Sequence, residues 1–338
     1  MKLLSPGRSM QALPKPLIIG LCTISPLLWS QVWAQEIPRT EHGFPDLQGT
    51  YTFRTITPLQ RPPELANKAT MTAQEAAEWE AYENQRQNRD LIIDSVGGAG
   101  YPPGVISYNE FWYERGNETV ADRRTSLIFD PPNGRLPALS ETGKERAAYI
   151  SRIRSESAGP EARTLNDRCI VNNRTGPPME PGSYNNNMQL VQTEDYVMIL
   201  TEMVHHARII PFADDFSAAF AQWSGNSIAH WEDDTLVIES QNFYPEYGWR
   251  NTSPSMKIEE RIRWLDENTL DYEFTIDDPN TWEQPWSASV PMRRMDGPIY
   301  EYACHEGNHG LLGILAGWRR YEVMGLDQDG RPISDNDE

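Results

Sequence analysis

The sequence has few cysteines, few histidines and no apolar run long enough to span a membrane. Three of its 338 residues are cysteine and six are histidine. Its longest apolar stretch, from Leu17 to about Leu28, is shorter than the roughly 20 residues that a membrane span needs. No Cys-x-x-Cys, His-Glu-x-x-His, phosphate loop or dinucleotide fingerprint occurs. The chain therefore lacks the usual signs of a membrane-spanning, zinc-binding or nucleotide-binding protein.

Two further motifs are present only as fragments. The serine-hydrolase signature Gly-x-Ser-x-Gly is reduced to Trp223-Ser224-Gly225, without its first glycine. Residues 327–338 have the length of a calcium loop, but Pro332 replaces the required glycine and Arg331 replaces a ligand. Serine hydrolase chemistry is thus poorly supported, and we predict that residues 323–338 form an acidic disordered tail.

The N-terminus has the order of a secretory signal peptide. Residues 1–16 carry three basic residues and no acid, an apolar stretch follows, and Val32-Trp33-Ala34 provides a cleavage site. We predict that residues 1–34 are a signal peptide cleaved after Ala34, and that the mature protein is periplasmic or secreted. The mature chain would hold 27 basic and 49 acidic residues, a net charge of −22. This charge argues against nucleic acid or an anionic membrane as a partner.

Two cysteines, Cys169 and Cys304, remain after the predicted cleavage. In an oxidising compartment an isolated pair is most often a disulfide. Free buried thiols and a catalytic cysteine are the alternatives. We therefore expect a disulfide that ties a long loop to the last predicted strand.

The part of the chain before the strands is irregular and partly helical. Residues 35–165 are predicted to form an extended and helical region that wraps the following domain. Thr72 and Glu75 have the spacing of a capping box, which predicts a helix from there to about residue 90. A second helix is expected over residues 140–154. Residues 155–187 are rich in glycine, proline and asparagine and are typical of a long ordered loop.

Residues 166–322 are dominated, from Met188 onward, by short alternating strands with acidic turns between them. Four hairpins are indicated, and the last pairs residues 287–295 with 299–305 across an Asp-Gly turn. An antiparallel meander of about eight strands closes most economically into a barrel, because closure removes exposed edges. We predict a mainly β protein whose antiparallel meander closes into a lipocalin-like barrel domain.

Four of the six histidines form two tight clusters, His205 with His206 and His305 with His309. Histidine serves both proton transfer and metal binding near neutral pH. The spacing of His305 and His309 suits a metal only on a helix, and two neighbouring glycines argue against a helix there. We therefore predict no metal site. His205 and His305, each at the end of a predicted strand, are the candidate catalytic bases.

Two acids lie among apolar neighbours on predicted strands. Strand alternation places both Glu260 and Glu202 on otherwise apolar faces. A carboxylate in such a place is costly unless it is paired or protonated, and such acids suit general acid or base catalysis. Alternatively, each acid is salt-bridged, for instance to Arg208 or Arg261, or lies exposed at a barrel mouth. Arg208 is also the candidate group to stabilise an anion.

Four residues are candidates for contact with a substrate: Trp282, Trp286, Tyr302 and Asn308. The two tryptophans flank Pro285 in a predicted loop and could wall a pocket for a planar or apolar ligand. The alternative is that they belong to the core, as we expect for most tryptophans of the strand-rich half. Tyr302 and Asn308 accompany His305 at the end of the last predicted strand.

Several longer motifs are shared with other proteins: Tyr184-Asn185-Asn186-Asn187, Glu202-Met203-Val204-His205, Trp231-Glu232-Asp233-Asp234-Thr235-Leu236-Val237 and Tyr300-Glu301-Tyr302-Ala303-Cys304-His305-Glu306-Gly307-Asn308. Through them the chain resembles a large group of secreted bacterial proteins over roughly residues 105–320. The Ala-Cys-His-Glu-Gly-Asn stretch is the most specific part. The resemblance implies no activity. In that group the positions of His206 and His309 often hold other residues, which favours His205 and His305.

We predict a periplasmic, cofactor-free enzyme that performs acid–base chemistry on a neutral apolar or aromatic small molecule. It would be a lyase, hydratase or isomerase, with His205 or His305 as the base and Glu260 or Glu202 as the partner acid. The single cavity would be lined by His205, Arg208, Glu260 and His305. By fold analogy alone, lipocalin-like barrels include both carriers and enzymes. The alternatives are a periplasmic small-molecule carrier without turnover and a metal-dependent hydrolase.

Overall fold

The computed structural model describes residues 37–91, 109–156, 159–172, 174–216, 220–245, 248–327 and 331–332. The predicted signal peptide lies outside these residues, and so does most of the predicted acidic tail. Among the described residues, no helix is long and apolar enough to cross a membrane.

The described part of the chain is mainly β, as predicted, with ten strands in one antiparallel sheet. Nine strands follow the order β5-β4-β3-β1-β10-β9-β8-β7-β6, and β2 pairs with β10 beside this path. The strands are β1 (Gly49–Thr52), β2 (Ile128–Asp130), β3 (Asn187–Gln192), β4 (Tyr196–Thr201), β5 (His206–Pro211), β6 (Asn226–Glu232), β7 (Thr235–Gln241), β8 (Lys257–Asp266), β9 (Thr269–Asp277) and β10 (Trp286–Arg294).

The two end strands of this order, β5 and β6, meet and nearly close the sheet into a nine-stranded barrel. Phe212, just after β5, forms a parallel bridge with Ala229 of β6. The backbone N–H of Ala213 donates to the carbonyl of Ala229 at 3.2 Å. Away from this bridge, β5 and β6 are joined by side chains rather than by a strand ladder. We call this line of contact the seam. The predicted barrel is confirmed. The candidate functional site lies at the seam.

Alternation along the strands fills the inside of the barrel with apolar side chains. In β9, Leu270, Tyr272, Phe274 and Ile276 are all buried, at every second position. Successive strand residues point to opposite faces, so these four side chains share the inner face. Burying each large apolar side chain contributes about 1.5–3 kcal/mol. The barrel core is therefore a direct consequence of the alternating pattern.

In the described ranges three α-helices accompany the sheet: α1 (Ala73–Gln87), α2 (Glu141–Glu156) and α3 (His309–Met324). The capping box before α1 is confirmed. The Glu75 amide donates to the Thr72 hydroxyl at 3.3 Å, and the Thr72 amide donates to the Glu75 carboxylate at 2.9 Å. The second predicted helix is also present. The helices predicted from capping and composition thus lie where expected in the region before the strands.

The predicted last strand over residues 299–305 is wrong, and α3 follows this segment instead. A strand returning from β10 across the Asp-Gly turn would need a free edge of β10. That strand already pairs with β9 on one side and with β1 and β2 on the other. The side chain of Asn308 instead caps α3 by accepting a hydrogen bond from the Leu311 amide at 3.2 Å. The helix also crosses the predicted boundary between the barrel domain and the tail.

Cys169 and Cys304 form a disulfide, as predicted, with their Cα atoms 5.6 Å apart. The bond attaches the segment after β10 to the loop that precedes β3. A second contact lies beside it, because the Asn308 side-chain amide donates to the Asp167 carbonyl at 2.8 Å. The same Asn308 amide lies 3.3 Å from Sγ of Cys169, so the disulfide and the hydrogen bonds of Asn308 together attach the start of α3 to this loop. A disulfide is compatible with export to an oxidising compartment.

Candidate functional site

A buried ion pair spans the inside of the barrel next to the seam. Arg208 on β5 reaches Glu260 on β8 through two hydrogen bonds, at 2.9 and 2.6 Å. Glu260 is 0% exposed and Arg208 is 6% exposed. The two parallel N–H donors of a guanidinium match the two oxygens of a carboxylate, which makes such a pair strong and directional. The acid that alternation placed on an apolar face is thus neutralised by an arginine from the opposite side of the seam.

The ion pair is extended by hydroxyl groups from three further strands. Tyr272 on β9 donates to the Glu260 carboxylate at 2.8 Å. Arg208 also donates to the hydroxyls of Ser227 and Ser240, both at 3.2 Å. Burial, followed by the nearby charge of Glu260, raises the pKa of Tyr272 well above its ordinary value, so this phenol stays neutral. Burial alone would lower the pKa of Arg208, but Glu260 raises it above the ordinary value. The network is therefore a fixed, charge-balanced part of the barrel.

A cavity of about 650 Å³ opens at the seam beside this network. Part of its wall comes from β5 and the start of β6, and the rest comes from the loops next to them. The lining residues used below are His206, Arg208, Phe216, Phe220, Trp223, Ser224 and Tyr244. We call it the seam cavity. Its size is within the range of small-molecule sites.

A serine and a histidine meet inside the seam cavity. The Ser224 hydroxyl lies 2.9 Å from Nε2 of His206. Ser224 sits in a tight turn that the Gly225 amide closes by donating to the Gln222 carbonyl at 3.1 Å. Gly225 has a φ of +71°, and a Cβ there would lie 2.8 Å from the Phe243 ring. Only glycine fits this turn without strain, and the turn places the serine against the histidine.

His206 is neutral in this environment. Burial, and then the charge of Arg208, lower the pKa of His206 from 6.5 to about 4. Its Nδ1 atom is enclosed and has no hydrogen-bond partner among the described residues. A neutral imidazole offers one donor and one acceptor, so Nε2 of His206 can exchange a hydrogen bond with Ser224 while Nδ1 stays enclosed.

We predict that protonation of His206 destabilises the fold on acidification. Its pKa is lower in the folded state, so its contribution to stability is complete above pH 6.5 and is lost as the pH falls from 6.5 through about 4. The maximum loss is about 3 kcal/mol. Urea unfolding at pH 7.5 and 4.5 should show a smaller pH-dependent loss in His206→Gln than in the unsubstituted protein. In His230→Gln, which changes a partly exposed histidine of β6, the loss should match that of the unsubstituted protein; equal losses in all three proteins would contradict the prediction.

The sequence-predicted histidines lie apart from the seam cavity lining. His205 is exposed, with a φ of +54°, just before β5. His305 is exposed in a turn between β10 and α3. Neither lines the seam cavity, and Glu260 does not line it either. Of the four residues expected to share a cavity, only Arg208 lines this one.

The remaining predicted site residues have structural contacts. Glu202 is buried and accepts hydrogen bonds from the Asn187 side chain at 2.5 Å and the Tyr300 amide at 3.4 Å. Trp282 and Trp286 are buried in the core and contact each other edge to face at 5.6 Å. Tyr302 stacks on Tyr184, and Asn308 caps α3. None of these residues lines the seam cavity.

Sequence reasoning missed His206 and Ser224, although a signal existed for the first of them. In β5, His206, Arg208 and Ile210 lie at alternate positions and therefore share the inner face. The alternation that points Arg208 inward thus also points His206 inward. Ser224 appeared only in the incomplete fragment Trp223-Ser224-Gly225, and the seam brings it to His206 without any strand pairing.

Among the described residues, no group of three or more histidine, cysteine, aspartate or glutamate side chains is placed to hold a metal ion. No protein-family model matches the chain, and no curated protein matches it in sequence. The function is therefore inferred from the geometry of the seam cavity.

Proposed function

We propose that the seam cavity binds a neutral small molecule with an apolar or aromatic body and transforms it by acid–base chemistry. The reaction would be of the lyase, hydratase or isomerase type, in a protein exported to the periplasm or beyond. The observation that carries this proposal is the neutral His206, held against the Ser224 hydroxyl at 2.9 Å in a cavity of about 650 Å³. His206 takes the place of His205 and His305 as the group that transfers a proton.

The walls of the seam cavity favour an apolar or aromatic ligand. Trp223 and Tyr244 pack together there with ring centroids 4.3 Å apart. Phe216 and Phe220 also line the cavity, and Phe220 is 70% exposed. Aromatic side chains around a concave opening supply large contact areas for planar ligands.

The charges at the seam cavity favour a neutral ligand. Arg208 is the one charged side chain among its described lining residues, and Glu260 neutralises it. A charged ligand would leave water without an opposite charge to compensate it, which is costly. Neutral His206 and the Ser224 hydroxyl remain as polar groups that can orient a carbonyl or hydroxyl of the ligand.

Binding can be tested with N-phenyl-1-naphthylamine, a neutral aromatic probe whose fluorescence rises in apolar surroundings. Ala221 lines the cavity, so Ala221→Trp should fill part of it and weaken binding by at least about tenfold, or about 1.4 kcal/mol. Ala148 is exposed on α2, and Ala148→Trp is the matched control that should bind as the unsubstituted protein does. Equal affinity in all three proteins would place the probe outside the seam cavity, and no binding at all would contradict the proposal.

A carrier without turnover is the second candidate, and one observation favours it. No carboxylate lines the seam cavity among the described residues, so His206 has no partner acid there. The two candidates differ in proton transfer. An acid–base enzyme should catalyse deuterium uptake from D₂O next to the carbonyl of 1-phenylpropan-2-one, followed by NMR, and His206→Gln should abolish it. Tight probe binding without any catalysed exchange would favour the carrier.

A further inference from the structure

The Ser224 hydroxyl is placed as a nucleophile would be. It lies within hydrogen-bond distance of a neutral imidazole, at 2.9 Å from Nε2 of His206. A nucleophile and a base at this distance are the basic arrangement of covalent catalysis by serine. When the His206 proton is on Nδ1, Nε2 accepts the hydrogen bond from the serine. The pair also faces a cavity large enough for a small aromatic molecule.

The turn that carries Ser224 also has two backbone N–H groups next to the serine. Among the described residues, neither the Trp223 nor the Ser224 backbone N–H has an acceptor, whereas the Gly225 N–H closes the turn. Free amides beside a nucleophile can stabilise the negative charge that develops on an attacked carbonyl oxygen. The serine therefore has both a base and nearby donors.

The surroundings of the pair select the kind of acyl compound it can attack. Burial and Arg208 lower the pKa of His206 to about 4, so its imidazole is a weak base near neutral pH. A phenolate leaves an ester carbonyl more readily than an alkoxide does, so an aryl ester places the smallest demand on such a base. The aromatic walls formed by Trp223 and Tyr244 suit the aryl part of such a compound.

The geometry points to Ser224 as a nucleophile, activated by His206, that accepts the acyl group of a neutral aryl ester bound in the seam cavity. Ser224 Oγ attacks the carbonyl carbon while its proton passes to Nε2 of His206. The carbon–oxygen bond to the aryl group then breaks, and the leaving oxygen takes this proton. Water next attacks the acyl group in the same way, releasing the carboxylic acid and restoring the serine hydroxyl. This inference rests on the proposed binding of neutral aromatic molecules in the cavity.

The test uses p-nitrophenyl acetate with the whole mature protein. We expect an initial burst of p-nitrophenol and one acetyl group per chain, located at Ser224 by peptide mass spectrometry. Ser224→Ala should lose both, and His206→Gln should slow acetylation by about 100-fold or more. His230→Gln is the matched control and should acetylate at the unsubstituted rate. Acetylation at another residue, or acetylation of Ser224 at an unchanged rate without His206, would overturn the inference.

A second measurement does not depend on any variant folding correctly. Diisopropyl fluorophosphate reacts with activated serines, because the serine oxygen attacks phosphorus and fluoride leaves. The unsubstituted protein should be modified at Ser224 and protected by N-phenyl-1-naphthylamine. If the neutral probe binds but Ser224 stays unmodified, the inference fails and the proposed binding stands. If the probe does not bind either, both fail.

Discussion

Replacing Glu260 by glutamine is expected to lower the free energy of unfolding by about 3–5 kcal/mol. Glu260 is fully buried, and its carboxylate is the counter-ion of the buried Arg208 guanidinium. The substitution leaves the arginine charge in the barrel without its partner. Urea unfolding at pH 7.5 measures the effect. Glu259→Gln, at the neighbouring exposed position of β8, is the matched control and should change stability by less than about 0.5 kcal/mol.

Removing both charges is expected to lower the free energy of unfolding less than removing the Glu260 charge alone. Arg208→Met with Glu260→Leu replaces the pair by apolar side chains of similar volume, which is often nearly neutral for stability. The double variant should therefore be at least about 2 kcal/mol more stable than Glu260→Gln. If the free energy of unfolding of Glu260→Gln instead lies within about 1 kcal/mol of that of the unsubstituted protein, the buried ion pair does not stabilise the fold as proposed.

Removing the disulfide is expected to cost about 4–5 kcal/mol in the chain-entropy estimate. Cys169 and Cys304 are 135 positions apart, so the bond closes a long loop in the unfolded chain. The variant with both cysteines changed to serine should lose this free energy of unfolding. Dithiothreitol should destabilise the unsubstituted protein to a similar extent and leave the double variant unchanged.

The effect of the disulfide should also be local. No residue of α3 is buried, and the segment before the helix is attached to the loop before β3 through Cys304 and Asn308. Hydrogen exchange in the double serine variant should become faster throughout α3 and remain slow in β8 and β9. Equal protection of α3 with and without the disulfide would show that other contacts hold the helix.

Most of the sheet could be predicted because its strands alternate cleanly and are joined by short turns. The hairpin of β8 and β9, for example, turns at Glu267 and Asn268, between Asp266 and its partner Thr269. The strand predicted after β10 is absent. Its local sequence has the pattern of a hairpin, but β1 and β2 occupy the edge of β10 that a returning strand would need. Competition for a strand edge is a property of the whole sheet and cannot be read from the local pattern.

The candidate site was predictable in part. Glu260 was recognised because an acid stood on an apolar strand face, and its pairing with Arg208 was one of the alternatives considered. The preference for His205 over His206 was not based on the alternation through β5, where a shift of one residue reverses the face. That alternation turns His206, and not His205, toward the inside of the barrel.

The proposed function requires His206 to be a neutral polar group that meets a ligand in the seam cavity. NMR of the ¹⁵N-labelled imidazole at pH 7, during titration with N-phenyl-1-naphthylamine, observes this group itself. We expect nitrogen shifts of a neutral ring before addition, and a change that saturates at the affinity measured by fluorescence. The change should be absent in Ala221→Trp at the same probe concentrations. A protonated His206 ring at pH 7, or an imidazole signal that does not move while the probe binds, would contradict the account.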